Sequence, residues 1–298
     1  MAAKRLDGKA LSDEIREQLA QRVSGLREVG LRVRLDAVLA PGSGVEAARV
    51  YAHSQGRTCE KLGIEYELHE MRRDCGVDEL AGRILLLSND EMVHAIMVHL
   101  PLPAHIDTYE IQRLIAPEKD VEGVNPANIG NIVYGRSSLA PCTALAAMRL
   151  IRESGIDLKG SACAVIGASN IVGKPIAAML MREEATVISL NKYTENITDY
   201  TTRADVLIAA AGVPGLVKRD WVKPGAVVID VGINRVEGPD GTMTTVGDVA
   251  QDEVSEVAAA LSPVPGGVGP MTVSMLLHNV VSSAEPPVQD ASSRSLLL

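Results

Sequence analysis

The chain has 298 residues, 46% of them hydrophobic, which suits two domains or one large one with a well-filled core. Lysine and arginine total 29 against 38 acidic residues, a net charge of -9, and this balance argues against a nucleic-acid footprint. No apolar run is long enough to span a bilayer, and the first residues carry no apolar signal region. The four cysteines (Cys59, Cys75, Cys142, Cys163) show neither C-x-x-C spacing nor a metal pattern, so free thiols in a reducing cytoplasm are expected.

Leu11, Ile15, Leu19, Val23 and Leu26 recur at spacings of four and three, predicting an amphipathic helix over 10–29 that Gly30 closes. A strand is expected over 35–40, a turn at 41–44, a second helix over 46–62, and a strand with one exposed face over 64–69. Asp78 is placed to cap a helix running to Leu87. The strand over 95–98 empties into His99-Leu-Pro-Leu-Pro103, where two prolines stop the strand and fix an extended loop. Residues 116–131 read as a polar, Gly/Pro-punctuated loop, and 143–154 as a helix linking two halves.

The second half is organised around Ser161-Ala-Cys-Ala-Val-Ile-Gly-Ala-Ser-Asn-Ile-Val-Gly-Lys-Pro175. A short apolar strand runs into Gly167, Ser169 and Gly173, and Pro175 falls in the first turn of the helix that follows. Such a strand, turn and helix aim free backbone N–H groups at a pyrophosphate. Alone, a turn of the form G-x-S-x-x-x-G is a weak signal. Three further apolar strands, over 185–190, 204–211 and 226–231, lack alternation, as strands buried on both faces of a parallel sheet do. Gly212 and Gly232-Ile-Asn234 fall just past strand ends, where such sheets bind ligands. The fold class is therefore α/β: an N-terminal βα domain and a Rossmann-like, doubly wound dinucleotide-binding domain. A helix over 271–281 follows the rigid, glycine-rich loop at 262–270.

Tyr51, His99-Leu-Pro-Leu-Pro-Ala-His-Ile106, Pro117-Glu-Lys-Asp-Val-Glu-Gly123, Pro141-Cys-Thr143, the Gly167 turn and Pro263-Val-Pro-Gly-Gly-Val-Gly-Pro-Met-Thr272 stand in an order that resembles the methylenetetrahydrofolate dehydrogenase/cyclohydrolase family. The resemblance covers all but the tail. It implies a folate-binding catalytic domain at 1–140 completed by a helix at 270–285, and an NAD(P)-binding domain at 141–269. Residues 286–298 are expected to be a disordered tail. It further implies two domains around a cleft, a cytoplasmic homodimer joined through the dinucleotide domains, and a tetrahydrofolate substrate. The chemistry implied is hydride transfer from the methylene bridge to NADP or NAD, with hydrolysis to 10-formyltetrahydrofolate in the same site. Catalytic positions carried over are Tyr51, Gln55, His99 and Glu122. Substrate contacts fall to Tyr51, Leu100, Pro101, Glu122, Pro265, Gly266 and Gly269, and coenzyme contacts to Gly167, Ala168, Ser169, Ile171, Gly173, Lys192, Gly212 and Ile233.

The chain departs from the family pattern where the hydrolytic step acts. The family's Lys four residues after the Tyr is Gln55, which can neither carry charge nor transfer a proton at neutral pH. The family's Gln is His99 and its Asp is Glu122. The expectation is a retained dehydrogenase with weak or lost cyclohydrolase activity. His99, titrating near neutrality, is an alternative acid or base. The rival readings are a bifunctional enzyme, a non-catalytic folate- or nucleotide-binding homologue, and an enzyme for a modified folate. On the coenzyme side, Ala168 replaces an Arg that suits a 2′-phosphate, while Lys192 partly restores the charge, so NAD and NADP both stay open. Away from the resemblance, Tyr51 reads as half-buried packing, Asp120 equally as a solvated charge, Cys142 as structural, and Asp230 as a loop-shaping residue. The Gly266-Gly267 pair suits close approach of backbone to a flat ligand.

Overall fold

The structure is a computed structural model that describes residues 3–40, 42, 45–136, 139–237 and 241–286. Most of the turn expected at 41–44, and residues 287–298 of the tail, lie outside the described residues. The chain divides into two compact units. One holds Glu14–Ala140 and the end of the last helix from Leu276; the other holds the residues up to Asp13 and Pro141–Met275.

The chain opens with β1 (Lys4–Arg5) and α1 (Gly8–Glu28), then β2 (Arg34–Leu39), α2 (Val45–Leu62), β3 (Glu65–Glu70), α3 (Val77–Asn89) and β4 (Ala95–His99). In the first unit the three strands form a parallel sheet in the order β3-β2-β4, with Leu39 opposite His99 at the end of the register. Leu80, Ile84 and Leu87 recur at helical spacing on α3 and pack with Val38, Ile96 and Val98. Burying each such side chain contributes about 1.5–3 kcal/mol. Asp78 does not cap α3: it lies inside the first turn, and Gly76 holds the cap position without a side-chain bond. Its carboxylate there still meets the positive end of the helix.

The polar stretch expected to be loop follows α4 (Thr108–Gln112) and runs into α5 (Pro126–Val133). Asn125 caps α5 by accepting from the Ala127 N–H at 2.8 Å, and Pro126 takes the first helical position. That pair is a readable helix start, which the surrounding polarity masked.

The second unit continues with α6 (Cys142–Ser154), β5 (Ala162–Ile166), α7 (Gly173–Arg182), β6 (Thr186–Leu190), α8 (Thr198–Thr201), β7 (Val206–Ala209) and β8 (Val227–Asp230). A hairpin of β9 (Asn234–Glu237) and β10 (Met243–Val246), then α9 (Gln251–Ser255), β11 (Ala260–Leu261) and α10 (Val268–Ala284) complete the described chain. The main sheet is parallel throughout, in the order β1-β11-β8-β7-β5-β6. After β6 the chain returns to the other side of β5 to form β7, so the switch in strand order lies between β5 and β7.

Three expectations are corrected here. β6 is the edge strand and only Leu190 is buried in it, so it is not a strand covered on both faces. The first 13 residues belong with the second unit, because β1 hydrogen-bonds alongside β11, Lys4 beside Ala260. Residues 270–275 of α10 go with them: Ser12 donates to the Pro270 carbonyl at 3.2 Å and meets the Ser274 hydroxyl at 2.7 Å. Only the later part of α10 serves the first unit, where Asn279 donates to the carbonyls of Val121 and Ala140 at 2.8 and 3.0 Å.

Candidate active site

In the first unit, the end of β4 gathers the residues that the sequence singled out. The segment after Pro117 runs beside β4: the Ile96 N–H donates to the Lys119 carbonyl at 2.7 Å, and Ile96 bridges to Asp120 in parallel. Two residues on, Glu122 comes beside Val98, whose N–H donates to its Oε2 at 3.4 Å. His99 is the last residue of the strand and is 3% exposed. The ring of Tyr51, from α2, stands edge-on to it with centroids 5.9 Å apart. Gln55 lies four residues beyond Tyr51, on the same helical face, and is 5% exposed. Leu100 and Pro101 follow directly and are exposed.

Burial sets the protonation of this group. The Glu122 carboxyl is pushed up to about 7, chiefly by desolvation and then by the nearby Asp120, against a small pull from the Val98 N–H. It therefore changes charge near neutrality. His99 goes the other way: burial lowers it to about 4, so the ring is neutral at pH 7. The expectation that His99 titrates near neutrality is corrected, because nothing charged offsets its desolvation. The amide atoms of Gln55 and the Nε2 of His99 are buried with no hydrogen-bond partner among the described residues.

Asp120 is not a solvated charge. It is fully buried, and its Oδ2 accepts from the Asn125 N–H at 2.7 Å and the Asn128 amide at 2.9 Å. It braces the turn that presents Glu122, closed by the Gly123 N–H donating to the Asp120 carbonyl at 3.0 Å. The two asparagines five and eight residues downstream were the available signal for this role.

In the second unit, β5 ends in the expected turn. Gly167 has φ +106°, and a side-chain carbon there would run into the Ala210 carbonyl; one on Gly173 would run into the Gly167 carbonyl. Both glycines let the turn close against the end of β7. Ser169 Oγ accepts from the Gly173 N–H at 3.4 Å, Pro175 is buried in the first turn of α7, and Ala168 and the half-exposed Ile171 line the same loop. Beyond β6, the amine of Lys192 lies 4.9 Å from the centre of the Tyr193 ring.

Two buried carboxylates organise the neighbouring loops. Asp230, at the end of β8, accepts from the N–H groups of Gly232, Asp248 and Val249 and from the Gln251 amide, at 2.9–3.0 Å. Burial pushes it up to about 6 while those donors pull it back down. Asp248 accepts from the Ala211 and Gly212 N–H groups at 2.7 and 2.8 Å and from the Asn234 amide at 2.9 Å. It was not foreseen, since nothing in its local sequence marks it. Ile233, Pro265, Gly266 and Gly269 line a pocket of about 130 Å³. The close-approach reading of the glycine pair is corrected for Gly267: a side-chain carbon there would collide with the Pro263 carbonyl, and Gly8 packs on its own carbonyl. Gly266, at φ +108°, keeps the more open side.

The residues present fit a dinucleotide. A glycine-closed turn leads from β5 into a ten-residue helix, the strand, turn and helix on which a pyrophosphate sits. Gly212 has φ +68° and open space on its side-chain side, which lets a flat ring approach the end of β7.

Residues 141–287 match the model of the tetrahydrofolate dehydrogenase/cyclohydrolase NAD(P)-binding domain, and residues 6–122 that of the catalytic domain of the same enzymes. A bifunctional protein FolD of Pelobacter propionicus is 44% identical over 280 residues, 94% of this chain and 97% of its own length. The crystal structure of the bifunctional FolD dehydrogenase/cyclohydrolase of Campylobacter jejuni is 42% identical with a TM-score of 0.89, covering 95% of this chain and 99% of that one. The Trypanosoma brucei dehydrogenase-cyclohydrolase, solved with NADP and an inhibitor, is 36% identical with a TM-score of 0.87, covering 95% and 98%. With both domains matched in order, this chain belongs to the tetrahydrofolate dehydrogenase/cyclohydrolase family.

Proposed function

We propose that the chain oxidises 5,10-methylenetetrahydrofolate to the 5,10-methenyl compound with NAD or NADP, and hydrolyses that product to 10-formyltetrahydrofolate in the same pocket. The observation that carries this reading is Glu122, a carboxyl brought to about 7 and held by the Val98 N–H at the end of β4, one residue before the His99 ring that meets Tyr51. When bound, the coenzyme supplies the hydride acceptor. The protein's part in that step is positioning the folate and excluding water, for which the exposed edges of Tyr51, Leu100 and Pro101 are suited. As a carboxylate, Glu122 stabilises the cation that forms on the folate. In hydrolysis the same carboxylate takes a proton from the water that adds to the methenyl carbon. The bond from that carbon to N5 then breaks as the added hydroxyl becomes the formyl carbonyl and its proton passes to N5, and the proton taken by Glu122 leaves to solvent. His99, neutral at pH 7, donates or accepts one hydrogen bond and holds the Tyr51 ring.

The bifunctional names of the relatives support retention of the second step over the loss expected from Gln55. A second reading, a dehydrogenase without hydrolysis, is favoured by Gln55 alone, an uncharged amide in the Lys position of the family pattern. A paired assay separates them. Reduced nicotinamide and the methenyl compound are followed separately during turnover of methylenetetrahydrofolate with each coenzyme. Reduction without methenyl build-up supports the bifunctional enzyme; build-up at the rate of reduction supports the second reading. Absence of both signals would sink the catalytic reading and favour a binding homologue or a modified folate. The working form proposed is a cytoplasmic homodimer joined through the dinucleotide units, which sedimentation at micromolar concentration tests. No helix among the described residues is long and apolar enough to cross a membrane.

A further inference from the structure

Parallel pairing has a regular register: once one N–H has taken a carbonyl, the N–H two residues on takes the carbonyl two residues on. Beside β4 the register opens in that way. The Ile96 N–H donates to the Lys119 carbonyl at 2.7 Å, and Ile96 bridges to Asp120. The next bond in register would run from the Val98 N–H to the carbonyl of Val121. The structure does otherwise. The bridge at Ile96 stands alone, and the Val98 N–H turns to the Glu122 carboxylate, whose Oε2 accepts it at 3.4 Å.

The Val121 carbonyl has a different donor. Asn279, on α10 and 158 residues away along the chain, donates to it at 2.8 Å. The same Nδ2 donates to the Ala140 carbonyl at 3.0 Å. An amide nitrogen carries two hydrogens, and each is given to one carbonyl. The group therefore cannot swing away from Val121 without stranding a buried acceptor. Val98, Val121 and Ala140 are fully buried and Asn279 is 2% exposed, so water does not compete for these bonds. Asn125 and Asn128 brace the Asp120 carboxylate next door, but the Val121 carbonyl is held by Asn279.

We infer that Asn279 is a positioning residue for Glu122: by holding the Val121 carbonyl it ends the pairing along β4 one step early and leaves the Val98 N–H to the carboxylate. Without that amide the Val121 carbonyl returns to the Val98 N–H, the pairing lengthens by one bond, and Glu122 is released. The inference rests on the hydrolytic role proposed for Glu122 and names what aims it.

The test is a double-mutant cycle on the full chain: the parent, Asn279→Leu, Glu122→Gln and the two combined. Asn279→Leu keeps the volume and removes both donors. Two quantities are measured, the kcat and KM for hydrolysis of the methenyl compound and the Val98 amide resonance in isotope-labelled protein. Asn279→Leu should lower kcat about tenfold, the cost of a misaimed group, with KM unchanged. The combined variant should be no slower than Glu122→Gln alone, since one residue acts through the other. Glu122→Gln should move the Val98 resonance in the parent and leave it in place in the Asn279→Leu chain. A purely structural role would instead slow both backgrounds by the same factor, or leave the Val98 response intact, and either result overturns the inference. If the leucine variant does not fold, Asn279→Ser, whose side chain is too short to reach Val121, should show the same pattern at smaller size. If the parent does not hydrolyse the methenyl compound, the hydrolytic reading falls, and the Val98 resonance still decides whether Asn279 places Glu122.

Discussion

In the NAD(P)-binding unit the buried carboxylates at the loops are saturated: Asp230 accepts four hydrogen bonds and Asp248 three. At the pocket of the catalytic unit, Gln55, His99 and Asp120 each keep a buried polar atom with no partner among the described residues. The contrast follows from what each site must fix. A dinucleotide is held largely by backbone, so charges there are spent on shaping loops. A reacting folate has to be met by side chains, and a side chain already satisfied by the protein has nothing left to offer.

The comparison breaks most sharply at Asp230. Replacing it with Ala strands four donors in the interior, each costing about 1–3 kcal/mol. A loss of at least about 4 kcal/mol in urea denaturation is expected, with unfolding of the NAD(P)-binding unit first. Asp230→Asn, which keeps an acceptor, should lose less than half as much. Equal and small losses in both would show that the saturated network is ornamental.

Glu122 sharpens the other side. Its folded value, about 7, lies above that of a free carboxyl. If the carboxylate is the working form, hydrolysis should rise with pH through about 7. Glu122→Gln should flatten that limb and lower the rate at pH 8 on the order of a hundredfold. The stability sign is opposite. A carboxyl raised by burial contributes stability in full below its unfolded value and loses it as pH rises through the folded one. The parent should therefore lose stability between pH 5 and 8, and Glu122→Gln should be the more stable protein above pH 7. An unaltered pH–rate limb in the variant would remove Glu122 from the proton transfers.

Gln55→Lys carries a smaller expected effect, a rise of about tenfold in hydrolysis with little change in hydride transfer. The new ammonium enters a site that is 5% exposed, where burial lowers a lysine toward neutrality. A variant with unchanged hydrolysis would show that the amide was not the limiting group.

Most of this arrangement was legible in the chain, and the failures share a cause. Apolar periodicity placed α1, α2, α3 and the main strands, because burial is a property of each segment's own residues. What it could not show was which strand lies at an edge. β6 reads like its neighbours, yet among the described residues it pairs with β5 alone. The two-residue strands β1 and β11 are too short to carry a period at all, although β1 moves the first residues into the other unit. The site residues on α2 and β4 came from motif resemblance. Their protonation did not: His99 and Glu122 shift in opposite directions from burial that only the fold confers. Asp248 escaped for a related reason, since its partners lie 14 to 37 residues away and no local pattern links them.

The smallest effect concerns the coenzyme's 2′-phosphate, the one place where the NAD(P)-binding unit would rely on an exposed side chain. Lys192 sits in a short turn past β6, held by Asn191 Oδ1 accepting from the Tyr193 N–H at 2.9 Å and Thr194 Oγ1 accepting from the Asn191 N–H at 3.0 Å. The turn directs an amine toward solvent near the strand end, and its four residues, Asn191–Thr194, include no acidic one to claim the ribose hydroxyls. Lys192→Ala should raise the KM for NADP about threefold and leave that for NAD unchanged. Because an exposed charge is screened, the parent's KM for NADP should climb with added salt while the variant's stays flat. A variant that loses both coenzymes equally would mean that Lys192 shapes the turn and does not read the phosphate. Discrimination would then rest with the Gly167 turn, where Ala168→Arg should raise the preference for NADP.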